Sequence, residues 1–104
     1  MKKKNLLFIF TDEQAAKTMR AYGNPLIETP NMDALATGGT VFENAYVTQP
    51  VCTPSRSTIL TGLWPHTNGC TENNLPLREE TKCFPETADF SEYKKAYFGK
   101  WHLG

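Results

Sequence analysis

The chain has 104 residues, of which 39% are hydrophobic and 21% are charged. This composition is typical of a small folded domain and excludes an extended disordered chain. Eleven lysines and arginines balance eleven aspartates and glutamates, so the net charge of zero gives no indication of binding to nucleic acid or to an anionic membrane.

The first predicted element is a buried strand of a parallel sheet at residues 5–11, an apolar run that ends in polar residues. Its apolar part, Leu6 to Phe10, is too short for the hydrophobic region of a signal peptide, and no run approaches the ~18 residues of a membrane span. We therefore expect a cytoplasmic protein.

Two helices and a second strand are predicted next. Acidic residues suit the first turn of a helix at residues 13–22, and glycine and proline at 23–25 would end it. Another helix is predicted to begin with Thr29 as its N-cap, followed by proline at the first helical position, and to end at the glycine pair at residues 38–39. Alternating apolar positions at residues 40–48 indicate a strand.

The second half of the sequence predicts a helix at residues 55–61 capped by Gly62, a long loop at 64–85, a short helix at 86–94 and a strand at 96–98. Strands that alternate with helices indicate an α/β layered fold with a mostly parallel sheet. Ligands in such folds gather at the carboxyl ends of strands. The polar groups that follow predicted strands are Asp12, the region of Cys52, and Lys100 with His102.

The three cysteines have an odd count and wide spacing, which fits neither a disulfide framework nor a zinc site. Cys70 and Cys83 are expected to be free, partly buried thiols. Cys52 precedes the predicted third helix, and the N–H groups and positive potential of a helix N-terminus favour a bound oxyanion.

Arg56 follows Cys52 by four residues and could add a fork of donors to the same anion. The spacing is shorter than in cysteine phosphatase loops, and Pro54 removes one of the amides that such a loop needs. A simple thiolate phosphatase is therefore not predicted. Taken alone, the two residues favour a structural interpretation, in which a buried cysteine lies beside an arginine that pairs with a surface acid.

The wider string resembles the signature of the type I sulfatases, members of the alkaline-phosphatase-like superfamily. Residues 52–56 read C-T-P-S-R and residues 59–62 read I-L-T-G. Four further segments resemble family motifs in the family's order: I-F-T-D-E-Q at 9–14, T-P-N-M-D-A-L-A at 29–36, P-H with a following glycine at 65–69, and G-K-W-H-L-G at 99–104. These segments cover nearly the whole chain.

The resemblance implies a nucleophile made from Cys52. In this family a maturation enzyme oxidises that cysteine to formylglycine, and the hydrated aldehyde attacks sulfur. Arg56 would hold a hydroxyl of the hydrate, Lys100 would contact sulfate oxygens, and His102 would hydrogen-bond the hydrate and help to move its proton. His66, in the P-H turn, is a candidate for substrate contact or for a structural role.

The resemblance also implies a divalent cation, expected to be calcium, that is bound by Asp12 and by the group derived from Cys52. Many family members have a second aspartate where this chain has Glu13, and we expect Glu13 to contribute as a ligand. Each residue also has an ordinary interpretation in isolation. Asp12 fits a helix N-cap, Lys100 a solvated surface lysine and His102 a loop histidine.

Residues 1–104 are thus expected to form the N-terminal part of a sulfatase catalytic domain, with an incomplete sheet. The family's domain is several times longer, so the chain alone is expected to be inactive. The implied function is sulfuric ester hydrolysis, with a sulfated carbohydrate as one possible substrate. Two alternatives stay open: a phosphodiester or phosphonate monoester hydrolase with the same nucleophile, and a truncated, non-catalytic remnant.

Overall fold

The computed structural model describes residues 4–104. The chain divides into two compact units, residues 1–45 and residues 46–104. All regular secondary structure in the described range is helical: α1 (Pro30–Gly38), α2 (Cys52–Thr61) and α3 (Pro65–Asn68), with two single 3₁₀ turns before α1 and two after α3. No helix in residues 4–104 has the length and apolar character that a membrane crossing requires.

Helix α1 belongs to the first unit and has the bounds that its sequence predicts. Thr29 is its N-cap, proline occupies the first helical position, and the helix ends at Gly38. The Thr29 hydroxyl does not cap a backbone amide. Instead it donates to the Asp33 carboxylate at 3.0 Å and accepts from the Arg20 amide at 3.2 Å, which ties the helix start to the preceding turn.

The prediction of a helix at residues 13–22 is wrong, because this segment forms two 3₁₀ turns, Ala16–Thr18 and Arg20–Tyr22. Met19 between them has extended dihedrals, φ −110° and ψ 140°, which no continuous helix allows. The Asn24 side chain donates to the Lys17 carbonyl at 2.6 Å, so it occupies an oxygen that a helix would have used.

The predicted parallel sheet is not confirmed, since the structure has no strand among residues 4–104. The segments at 5–11, 40–48 and 96–98, which were predicted as strands, have no ladder partner in this range. A strand is stabilised by its neighbours and by burial of its side chains. Leu7, in the segment at 5–11, is 83% exposed, and Phe98, in the segment at 96–98, is 92% exposed. These two segments therefore leave large apolar side chains uncovered.

Helix α2 lies in the second unit and begins at Cys52, three residues before the predicted start. It ends as predicted at Thr61 and is capped by Gly62, whose φ of 71° is the left-handed conformation that glycine adopts without strain. Helix α3 follows within the segment that was predicted as a loop. The helix predicted at residues 86–94 is wrong, because residues 84–90 form two separate 3₁₀ turns.

The core of the second unit is small and consists of four buried apolar side chains, Leu60, Cys70, Cys83 and Leu103, with Leu77 and Phe84 packed against them. Leu103 comes from the C-terminal segment, and its carbonyl accepts from the Leu77 amide at 2.8 Å. Because Leu60 lies on α2, this packing holds the C-terminal segment beside the helix that begins at Cys52.

A buried polar network joins α2 to α3. Asn68, the last residue of α3, is fully buried, and its amide group donates to the Ser57 hydroxyl at 2.9 Å. Its carbonyl oxygen accepts from the Cys70 amide at 2.9 Å, and the Ser57 hydroxyl donates to the Pro54 carbonyl at 2.8 Å. Each partner is buried and satisfied, which favours a single arrangement of the two helices.

Candidate active site

The structure brings the two signature segments of the sequence together at the start of α2. Cys52 is the first residue of the helix and is half-buried, with Val51 in extended conformation before it. The Lys100 ammonium donates to the Cys52 sulfur at an Nζ–Sγ distance of 3.6 Å. Forty-eight residues separate the two in sequence, so this contact is a property of the fold.

The main chain of Lys100 is held by two side-chain donors. Arg56 is 5% exposed, and its Nη1 donates to the Lys100 carbonyl at 2.8 Å. The Tyr97 hydroxyl donates to the same oxygen at 2.5 Å. Arg56 lies one helical turn after Cys52, on the same side of α2. The arginine therefore fixes the backbone of the lysine whose side chain reaches the sulfur.

His102 is connected to α2 through Thr53, which is fully buried. The Thr53 hydroxyl donates to the His102 carbonyl at 2.9 Å and accepts from the Asn74 amide at 3.3 Å. The His102 ring bonds in turn to Asn74, with 2.8 Å between Nε2 and Oδ1. His102 is therefore anchored at two points, its main-chain carbonyl and its ring, to groups that surround the start of α2.

The amides at the beginning of α2 are only partly free to bind an anion. The Thr53 N–H donates to the Asn73 side chain at 3.0 Å, and Pro54 has no N–H. Two of the first three amide positions of the helix are therefore unavailable. The Lys100 ammonium supplies a full positive charge at this helix end, in addition to the partial charge of the helix dipole.

The remaining predicted site residues are His66, Asp12 and Glu13. His66 is exposed on α3 and stacks on Trp64, with 6.2 Å between ring centroids. Asp12 and Glu13 belong to the first unit and are exposed, and Glu13 has a φ of 54°. Residues 4–104 contain no group of three or more His, Cys, Asp or Glu side chains close enough to hold a metal ion. The predicted metal ligands therefore stay a prediction.

The three thiols are free, as the sequence predicts, and they differ in environment. Burial raises the pKa of the Cys70 thiol, an effect that a hydrogen bond to Ser57 partly offsets. Burial also raises the pKa of the Cys83 thiol, and the negative charge of Glu86 acts in the same direction. Both thiols are therefore protonated at neutral pH and poorly reactive, whereas Cys52 is half-exposed beside a cation.

Sequence reasoning missed the roles of Thr53, Asn73, Asn74 and Tyr97. Asparagine is the residue other than glycine that most readily takes a left-handed backbone, and Asn74 has a φ of 69°. The only sequence signal for these roles was the pair of asparagines at 73 and 74, which indicates a turn in a long segment without apolar periodicity. Their partners lie twenty or more residues away in sequence, so no local pattern identifies the contacts.

Comparisons with known proteins agree with the motifs. The sulfatase family model matches residues 4–104. The chain is 40% identical over 102 residues to an N-acetylglucosamine-6-O-sulfatase of Bacteroides thetaiotaomicron, covering 98% of this chain and 18% of the relative. It is 42% identical over 101 residues to an ulvan-active sulfatase of Formosa agariphila, covering 97% and 20%.

Human arylsulfatase A is 38% identical over 108 residues, which cover 96% of this chain and 21% of that protein. No solved structure matches the chain. The chain therefore spans about a fifth of the length of these curated relatives. Since the family model covers nearly every residue, the chain belongs to the sulfatase family.

Proposed function

We propose that the protein that contains this chain is a sulfuric ester hydrolase whose nucleophile is made from Cys52. One observation supports this proposal above the others: the Lys100 ammonium lies 3.6 Å from the Cys52 sulfur, although the two belong to separate signature segments. A cation at this place favours an anionic ester next to the nucleophile. The names of two relatives, an N-acetylglucosamine-6-O-sulfatase and an ulvan-active sulfatase, favour a sulfated carbohydrate as the substrate.

The residues around Cys52 have distinct proposed roles. A formylglycine at this position supplies a geminal diol, which can attack sulfur. Lys100 attracts and orients the sulfate group, and Arg56 holds the Lys100 main chain while its charge offsets that of the anion. His102 is the group that accepts or donates a proton near the nucleophile. His66 is proposed as a substrate contact at the edge of the site.

Conversion of Cys52 requires a formylglycine-generating maturation enzyme, which we propose as a partner of this chain. The thiol is half-exposed at the first residue of α2, whereas the other two thiols are buried. Cys52 is therefore the one thiol of the three that such an enzyme could reach in the folded chain. An aldehyde oxygen at this position would replace the sulfur as the neighbour of the Lys100 ammonium.

Asp12, Glu13 and the group made from Cys52 are proposed as ligands of a divalent cation, with calcium as the expected ion. Carboxylate oxygens are the donors that calcium prefers, so the donor type fits. The number of ligands does not suffice, because residues 4–104 contain no group of three or more His, Cys, Asp or Glu side chains that could hold a metal ion. No step of the proposed chemistry is therefore assigned to the cation, and we expect the 104-residue chain alone to be inactive.

For the whole protein we propose the alkaline-phosphatase-like fold, in which residues 5–11 and 96–98 are strands of a mostly parallel sheet. Family membership supports this proposal. The exposed apolar side chains of both segments, such as Leu7 and Phe98, also support it, because a strand of a parallel sheet is covered on both faces.

The first experiment tests the nucleophile. The chain is produced together with a formylglycine-generating enzyme, and the peptide that contains Cys52 is analysed by mass spectrometry. We expect the sulfur to be lost and a carbonyl oxygen to be gained. Cys70→Ala is the matched control, and its Cys52 peptide should be converted to the same extent. A thiol that stays unmodified in both chains contradicts the proposed nucleophile.

The second experiment tests the reaction class with the whole protein that contains this chain. Turnover of an aryl sulfate is compared with turnover of an aryl phosphonate and an aryl phosphodiester. We expect the sulfate to be preferred and Cys52→Ala to abolish its hydrolysis. A strong preference for either phosphorus ester would replace this proposal with the alternative hydrolase, and absence of all three activities would favour the non-catalytic remnant.

A further inference from the structure

The bond between Asn74 and His102 joins two residues whose backbones are unusual. Three residues other than glycine have a positive φ in the described part of the chain, and these are two of them, with φ of 69° and 59°. Side chains with a Cβ disfavour this left-handed region, so surrounding contacts have to hold the residue there. Such backbones occur preferentially at functional sites.

The contacts that hold these backbones form a closed ring. The Thr53 hydroxyl donates to the His102 carbonyl and accepts from the Asn74 amide, and the Asn74 side chain closes the ring at the imidazole. Thr53 is fully buried and follows Cys52 directly. The ring therefore fixes both the main chain and the side chain of His102 relative to the start of α2.

The chemistry of the closing bond specifies where the imidazole carries its proton. An amide oxygen can only accept, so the 2.8 Å contact between Asn74 Oδ1 and His102 Nε2 requires a proton on Nε2. A neutral imidazole then has its lone pair on Nδ1. That atom is buried, and within residues 4–104 it has no hydrogen-bond partner. A buried acceptor without a partner is uncommon in folded proteins.

We propose that Asn74 is a positioning residue for His102. It holds the imidazole in one orientation and in the Nε2–H tautomer, and it leaves Nδ1 as the ring nitrogen that can accept a hydrogen bond or a proton. The relevance of this arrangement to sulfate ester hydrolysis rests on the proposed function. The tautomer and its dependence on Asn74 concern this chain alone and do not require activity.

The tautomer can be measured directly, because the chain has only two histidines. Long-range nitrogen–proton NMR spectra of the ¹⁵N-labelled chain, at a pH where imidazole is neutral, distinguish the protonated from the unprotonated ring nitrogen. A His66→Gln chain assigns the signals. We expect His102 to be fully in the Nε2–H form, with slow exchange of that proton, and the exposed His66 to show a mixture with fast exchange. An Nδ1–H tautomer at His102, or a spectrum like that of His66, overturns the proposal.

Substitutions of Asn74 separate its side chain from its backbone. Asn74→Gly removes the acceptor but suits the left-handed backbone, and it should release the His102 proton to fast exchange and give a mixture of tautomers. Asn74→Asp keeps an acceptor oxygen at the same place and should restore the slow exchange. Asn31→Gly, at an exposed position of α1, is the control and should leave the His102 signals unchanged. Unchanged signals in Asn74→Gly overturn the proposal.

The whole protein provides the catalytic readout. There, Asn74→Gly should lower kcat by about tenfold to a hundredfold with little change in KM, the range known for loss of the hydrogen-bond partner of a metal-binding histidine. Asn74→Asp should recover most of this loss. If the wild-type protein does not hydrolyse sulfate esters, the proposed function fails while the NMR result stands. If it does and Asn74→Gly retains full kcat, the positioning role fails while the function stands.

Discussion

Replacement of Thr53 by valine should destabilise the second unit through the hydroxyl alone. Valine has nearly the same volume as threonine, so the fully buried site loses two hydrogen bonds but gains no cavity. The carbonyl of the half-buried His102 loses its donor, and an unsatisfied group costs about 1–3 kcal/mol where water cannot replace the bond. The Asn74 amide is at an exposed residue and can turn to water. We expect a loss of about 2 kcal/mol in the free energy of unfolding.

Urea unfolding followed by circular dichroism measures this change. The midpoint should fall in Thr53→Val while the slope stays constant, since the surface exposed on unfolding is unchanged. Thr67→Val is the matched control, because Thr67 is exposed on α3 in the same unit, and its change should lie within about 0.5 kcal/mol. Thr53→Ser keeps the hydroxyl and loses a buried methyl, which should cost about 1 kcal/mol.

Two results would refute the reasoning. If Thr53→Val has the midpoint of wild type, the hydroxyl does not hold the C-terminal segment to α2. If Thr53→Ser, which keeps the hydroxyl, is destabilised more than Thr53→Val, which keeps the methyl, then packing of the methyl contributes more to stability than the two hydrogen bonds. Hydrogen exchange adds a local test, because the Asn74 amide should exchange faster in Thr53→Val and at the wild-type rate in Thr53→Ser.

Further predictions concern other parts of the second unit. Asn68→Ala leaves the Cys70 amide and the Ser57 hydroxyl without their partner, and urea unfolding should show a loss of about 3 kcal/mol. Gly69→Ala forces alanine to a φ of 92° and should lower the unfolding midpoint, whereas Gly38→Ala, at the end of α1, should not. Thiol reagents should label Cys52 in the folded chain but neither buried thiol. The raised pKa values of those buried thiols mean that the unfolded chain loses its thiol protons first, so stability should be unaffected at neutral pH and fall as the pH rises above about 8.5. A gain in stability over that range would contradict their burial.

Local signals in the sequence predicted the helices that have strong caps. The proline after Thr29 and the glycine at residue 62 act on the backbone of their own turn, so the start of α1 and the end of α2 follow from two or three residues. The start of α2 was placed three residues too late. Its first turn contains Cys52 and Thr53, whose positions depend on Lys100 and Asn73 from distant sequence.

The elements that were predicted wrongly depend on contacts that periodicity does not show. The acidic start at residues 13–22 suits a helix, but the Asn24 amide binds the Lys17 carbonyl and the chain turns at Met19. The strand predictions used apolar patterns alone. An apolar pattern specifies which side chains should be covered, whereas a strand also needs a neighbouring strand for its hydrogen bonds.

The candidate site was predictable to the extent that its residues lie within motifs. Cys52, Arg56, Lys100 and His102 stand in the two signature segments, and the structure places both segments at one end of α2. Asn74 could not be assigned in this way, because its partners are 21 and 28 residues away and its own neighbours carry no periodic pattern. The metal ligands remain a prediction from the motif at residues 9–14.

The geometry also explains why the two signatures depend on each other. Arg56 donates to the carbonyl of residue 100 and Thr53 donates to the carbonyl of residue 102, so α2 binds alternate carbonyls of one segment. Both donors are buried, and a buried polar side chain without its partner is costly. Loss of either donor would therefore displace Lys100 and His102 as well as remove a polar group. A loss of activity in Arg56 or Thr53 variants consequently measures the placement of the second signature together with any direct contact to the substrate, and only a comparison with Lys100 variants can separate the two contributions.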